Sequence, residues 1–158
     1  MKKFIKYFLI LALIALVVIQ FIRPEKNIGD YKSVAFFEAE TKPTEEVKAI
    51  LKTQCYDCHS NHTVYPWYAE IAPISYWLSD HVKDGKKHFN VSDWVNYSAK
   101  RKDHKLEELI EEVERGEMPL DSYTWIHGGI SKEQQKLLMQ WAQLARLQYK
   151  SQIEVSSK

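Results

Sequence analysis

The sequence predicts an all-α protein. Three observations carry that expectation. Four segments place apolar residues at i, i+3, i+4 and sometimes i+7, the period of a helix with one buried face. No stretch alternates apolar and polar residues as a half-buried strand would. The segments are bounded by helix-start and helix-stop residues such as Thr44, Pro73, Gly116 and Ser131.

Composition narrows the function. The chain has 158 residues, 45% of them hydrophobic and 27% charged, which suits one globular domain with an accessory segment. The net charge is +1, but Lys2, Lys3, Lys6 and Arg23 are the only charges before Pro24. Residues 24–158 therefore hold eighteen basic against twenty-one acidic side chains, a net −3. A weakly acidic body gives no reason to expect nucleic acid as a partner.

Residues 1–22 are nearly all apolar after the first lysines. Such a run predicts a transmembrane anchor at the short end of the usual range. Three lysines before it and one arginine after it would put residues 24–158 outside the cytoplasm. A cleaved signal peptide is the competing reading, but Val17-Val18-Ile19-Gln20-Phe21-Ile22 lacks the small-residue pattern before a cut. Residues 23–43, with Pro24, Gly29 and Pro43, read as a linker. Phe36 and Phe37 are its exceptions, able to dock on the domain or to stay partly exposed.

The main domain is expected over residues 44–150. Thr44 is a suitable N-cap, with Glu45 and Glu46 in the favourable first turn. Val47, Ile50 and Leu51 form the buried face. This helix runs into Cys55-Tyr56-Asp57-Cys58-His59, which contains the only two cysteines. C-x-x-C-H is the attachment signature of a c-type haem. Cysteines three apart share one side of a helical turn, so each thiol can bond to one vinyl group of a single porphyrin. The next residue, His59, can then bind the iron through a neutral imidazole nitrogen. A thiol-redox pair would sit in a strand-helix-strand context, which is lacking. Zinc would need four well-spaced ligands, whereas Cys55, Cys58, His59 and His62 crowd one short segment.

Tyr65, Trp67 and Tyr68 come next. All three, Trp67 above the tyrosines, are candidates to wall a haem or to bond a propionate through their polar tips; ordinary packing is the plain alternative. Pro73 opens a further helix, with Ile74, Trp77, Leu78, His81 and Val82 on one face and Gly85 placed to end it. His81 reads as a packing histidine rather than a ligand, and His88 and His104 as solvated. Ser92 is a candidate cap for a short helix carrying Trp94 and Val95. Asp103 opens an amphipathic helix with Leu106, Leu109, Ile110 and Val113 inside and a row of glutamates outside; Gly116 stops it.

After the stop comes Glu117-Met118-Pro119-Leu120. Pro119 restricts Met118 to extended backbone. A methionine on a stiff loop is a candidate distal haem ligand. His127 is the competitor, and an open position is the third possibility. Ser131 and Gln134 make a capping box for the last helix, whose buried face reads Leu137, Leu138, Trp141, Leu144 and Ala145. Met139 lies off that face. Residues 151–158 read as a frayed tail.

The order CYDCHSNHTVYPWYAEIAPISYWL, then GEMPL, then YTWIH, then a capped helix with LMQWA, resembles the bacterial haem-binding domain family of small exported c-type cytochromes. The likeness covers residues 43–147. It implies a cytochrome c-like helical domain around one covalent haem c. Cys55 and Cys58 would be the attachment residues, His59 the proximal ligand and Met118 the distal one. It also implies a place on the outer side of a bacterial cytoplasmic membrane. His127-Gly128-Gly129 departs from the family pattern, in which proline often comes after the histidine. The function expected is single-electron transfer with an unidentified redox partner. The rivals are a peroxidase-like haem enzyme and a haem-based sensor or subunit of a membrane complex.

Overall fold

The computed structural model describes residues 1–156. The regular structure of these residues is all-helical, apart from one isolated antiparallel bridge between Ile28 and His62. The all-α expectation holds.

The expected transmembrane helix does not. Helix α1 spans Lys2–Ile19 and carries Lys2, Lys3 and Lys6 in its first turns. Past Lys6, the residues from Tyr7 to Ile19 make roughly 20 Å of helix at 1.5 Å per residue. That falls short of a hydrocarbon core about 30 Å thick. Among the described residues no helix is long and apolar enough to cross a membrane. The single-pass anchor, and the membrane location inferred from it, are corrected accordingly.

Residues 23–43 pack against the domain rather than hanging free as a linker. Gly29 N donates to the Asn61 carbonyl at 2.7 Å, and Thr63 N donates to the Asn27 carbonyl at 2.9 Å. A Cβ on Gly29 would lie 2.6 Å from the Asn61 oxygen, so this approach requires glycine. A 3-10 turn (Tyr31–Val34) leads into α2 (Ala35–Thr41), which buries Phe37 completely.

Helix α3 (Glu45–Gln54) begins where the sequence predicts, with Thr44 Oγ1 accepting from Val47 N at 3.3 Å. One further turn, α4 (Tyr56–His59), carries the cysteine–histidine motif. A 3-10 turn (Trp67–Glu70) leads to α5 (Ile74–His88). Gly85 does not end α5; the helix runs past it. A Cβ there would stand 2.7 Å from the Cys58 carbonyl oxygen, so this glycine serves the contact between α5 and α4. The cap of the next 3-10 turn (Val91–Asn96) is Asn90 rather than Ser92.

Helix α6 (Ala99–Arg115) starts four residues before Asp103, capped by Ser98. Its early core contact is a lysine, which hides it from an apolar pattern. Lys102 is buried, pairs with Glu40 at 2.8 Å and lies over the Trp94 ring. Gly116, at φ 75°, ends α6 as expected. A short helix, α7 (Asp121–His127), precedes α8 (Lys132–Ser156). The capping box forms: Ser131 N donates to Gln134 Oε1 at 2.8 Å, and Gln134 N to Ser131 Oγ at 3.2 Å. The buried stripe of α8 is Leu138, Trp141, Ala142, Ala145, Arg146 and Tyr149; Leu144 is exposed. Residues 151–156 continue the helix, and the rest of the expected tail, Ser157 and Lys158, lies outside the described residues.

The core gathers around Phe37. Its ring meets Trp94, Trp141 and Phe89 edge-on at 5.0, 5.9 and 6.2 Å. Both indoles satisfy their N–H groups inside: Trp94 donates to Tyr149 Oη at 3.1 Å and Trp141 to the Thr41 carbonyl at 3.0 Å. Packing along α6 and α8 completes this core, and the motif turn is held at its edge between α3, α5 and the 91–96 turn.

Candidate functional site

The site begins with a backbone turn. Cys58 N and His59 N both donate to the Cys55 carbonyl, at 3.2 and 2.9 Å. The closed turn keeps the two thiols and the imidazole on one short element. Tyr56 and Asp57, the two residues between the cysteines, fasten it. Tyr56 is buried and donates to Glu38 Oε1 at 3.0 Å. Asp57 Oδ1 accepts from Val64 N at 2.9 Å.

His59 is oriented by a group from elsewhere in the chain. Its Nδ1 lies 2.9 Å from the Phe89 carbonyl. A carbonyl only accepts, so Nδ1 carries the proton and Nε2 is left as the free donor atom of a neutral imidazole. Metal-binding histidines are held this way, with the far nitrogen anchored. Burial depresses the imidazole pKa, outweighing the nearby Phe89 and Gly85 carbonyls; His88 adds to the lowering. Burial thus favours the neutral ring, and the Phe89 carbonyl fixes which nitrogen is free to ligate.

The thiols keep some exposed surface. Burial first and the neighbouring Cys58 second push the Cys55 thiol up to about 12. Burial and then Asp57 push Cys58 up to about 11. Both are therefore protonated at neutral pH.

Two spaces border the turn. The smaller, about 30 Å³, is lined by Cys55, His59, Met118 and Pro119. It has room for about one water. The larger, about 390 Å³, is lined by Asp57, Cys58 and Leu120 with Tyr68, Trp77 and His127 among others. Cofactor sites occupy about 300–1,000 Å³, which includes it. The motif and the 118–120 loop contribute to both spaces, so a planar group joined to both cysteines would border both.

The candidate residues divide between these spaces. Met118 faces the same gap as His59, and also packs against the core. His127 is on the wall of the larger space, with Nε2 2.7 Å from Tyr68 Oη. Trp67 and Tyr68 line the larger space too, with Trp67 77% exposed. His81, expected to pack, is in that same wall; its Nδ1 bonds to the Trp77 carbonyl at 2.9 Å within α5. Met139 is partly buried against the core and lines neither space.

Several members of the site leave no mark in the sequence pattern. The Phe89 carbonyl is a backbone atom. Tyr123, on α7, donates to the Thr53 carbonyl at 2.7 Å and clamps that helix over the motif. Gln54 Oε1 is buried beside Cys55 without a hydrogen-bond partner, an orphan acceptor at the smaller space. Among the described residues no group of three or more His, Cys, Asp or Glu side chains could hold a metal ion.

A family model described as a haem-binding domain matches residues 14–144. No curated protein matches the chain. No solved structure matches it either.

Proposed function

The chain belongs to the haem-binding domain family, and we propose that within it this protein is a covalent haem c protein that exchanges single electrons. Cys55 and Cys58 are the attachment residues, each thiol adding across one vinyl group to leave a thioether. His59 is the proximal ligand through Nε2, and Met118 the distal one. The observation that carries the reading is the His59–Phe89 hydrogen bond. It fixes the imidazole with Nε2 free to ligate, on the same turn as both thiols, facing a gap that Met118 also lines.

When bound, haem supplies a one-electron iron couple. The chain supplies the rest. The Phe89 carbonyl makes His59 a stronger donor by polarising its N–H. Met118 thioether ligation raises the potential relative to a second histidine. The apolar walls of the larger space limit water at the ring, while Trp67 and Trp125, 77% and 81% exposed, stand at its open side.

The test is spectroscopic. Oxidised wild-type protein, made with c-type maturation factors, should show the methionine-to-iron charge-transfer band. Met118→Ala should abolish the band, lower the reduction potential and admit carbon monoxide to the reduced iron. A wild-type protein without the band, whose spin state responds to His127→Ala instead, would refute Met118 as the ligand.

A further inference from the structure

Haem carries two propionate carboxylates, and a carboxylate turned toward an apolar wall without a donor is strongly disfavoured. No lysine or arginine lines the larger space. The donors must therefore come from its few polar side chains.

Most of these are engaged in holding the fold. Asp57 accepts from Val64 N. Thr63 Oγ1 donates to the Asp57 carbonyl and accepts from Asn27 Nδ2. Tyr123 Oη donates to the Thr53 carbonyl. His81 Nδ1 is bonded to its own helix. The indoles of Trp67, Trp77 and Trp125 and the hydroxyl of Ser122 are single neutral donors, Trp67 and Trp125 on strongly exposed side chains.

Tyr68 and His127 differ. They come from two separate elements, the 67–70 turn and the end of α7, and their polar atoms meet at 2.7 Å. The contact is exposed, at the wet side of the space. Tyr123 stacks on the His127 ring at 4.2 Å and 16°, which fixes the ring plane. An imidazole can also become cationic, a property that only His81 shares among the side chains lining this space.

We propose that Tyr68 and His127 together form the propionate site of this protein. The phenol and the imidazole converge on one carboxylate, with His127 as its counter-charge. Tyr68 donates its O–H to one carboxylate oxygen, and a protonated His127 donates from Nε2 to the Tyr68 oxygen, which sets its positive charge beside that carboxylate. The inference rests on the haem-binding reading.

The probe is mesohaem, which carries ethyl groups in place of vinyls, so that neither thiol can bond to it. Its dimethyl ester, lacking both carboxylates, is the comparison. Full-length apoprotein, made without attachment factors, is titrated with each. The parent should bind mesohaem at least about tenfold more tightly than the ester, as a hydrogen bond to a charged group implies. Tyr68→Phe and His127→Gln should each lose about that factor for mesohaem and leave the ester unchanged. Tyr31→Phe, a tyrosine that lines neither space, should change neither. Equal loss of both probes, in a variant that keeps the parent's helical circular dichroism, overturns the proposal, as does no loss of either. A parent that binds mesohaem and its ester equally well overturns the propionate site while leaving haem binding intact. A parent that binds neither refutes the haem reading and the propionate site together.

Discussion

The two thiols at the site are poor nucleophiles as folded. Burial holds Cys55 at about 12 and Cys58 at about 11, against an ordinary 9.0. A pKa raised in the fold means that the unfolded chain releases its thiol protons first. The stability these groups lend is whole below pH 9 and is lost as pH rises through about 11 to 12. Each thiol can contribute a slope of up to about 1.4 kcal/mol per pH unit in that window. Urea unfolding of the apoprotein at pH 8 and pH 10 should show the loss. Tyr56, Tyr123 and Tyr149, also raised mainly by burial, steepen it further. If haem attaches as proposed, the loaded protein has thioethers in place of thiols, so only the tyrosine part should remain. Equal slopes in the two forms would mean that the thiols are not protected in the fold.

Among the elements, the contact of α5 with α4 sets where Cys58 stands. Gly85 is the point of closest approach. Replacing it with alanine has two opposed effects. Helix propensity favours alanine by about 1 kcal/mol. The added Cβ would stand 2.7 Å from a backbone oxygen, which cannot rotate away. Overpacking of this kind costs about 1–3 kcal/mol. The clash should win: Gly85→Ala should lower the urea midpoint and the yield of attached haem together. Unchanged stability with full haem yield would mean that α5 does not brace the motif. This contact also marks the limit of what sequence reasoning can reach. Periodicity and capping residues locate α3, α5, α6 and α8, because those signals are local. The motif names Cys55, Cys58 and His59 for the same reason. Gly85 reads locally as a stop signal, since only the distant Cys58 carbonyl explains it. Lys102 reads as surface because its partner Glu40 is sixty-two positions away. Helix α7 is too short to display a period, and the Phe89 carbonyl that orients His59 belongs to no side chain.

For the whole molecule, Phe37 is the joint between the 27–41 segment and the helices. A sequence reading leaves it undecided in a linker, whereas in the fold it is fully buried among Trp94, Trp141 and Phe89. Phe37→Ala should cost about 3–5 kcal/mol. That is a large part of the roughly 5–15 kcal/mol that holds a domain together. Denaturant unfolding measures it; a loss below about 1 kcal/mol would mean that the segment is not part of the cooperative core. The same scale corrects the reading of α1. Apolar residues succeed its lysines, but their helical length falls short of a bilayer. The folded residues after it make one helical body with the motif at its edge.

We propose that this body holds its haem by covalent bonds to both cysteines. Intact-mass measurement under denaturing conditions tests it most directly, on protein produced with c-type maturation factors. The mass should be that of the chain plus one haem, with neither Cys55 nor Cys58 open to alkylation. A mass of the bare chain with two alkylatable thiols, and haem released into the solvent, would contradict it.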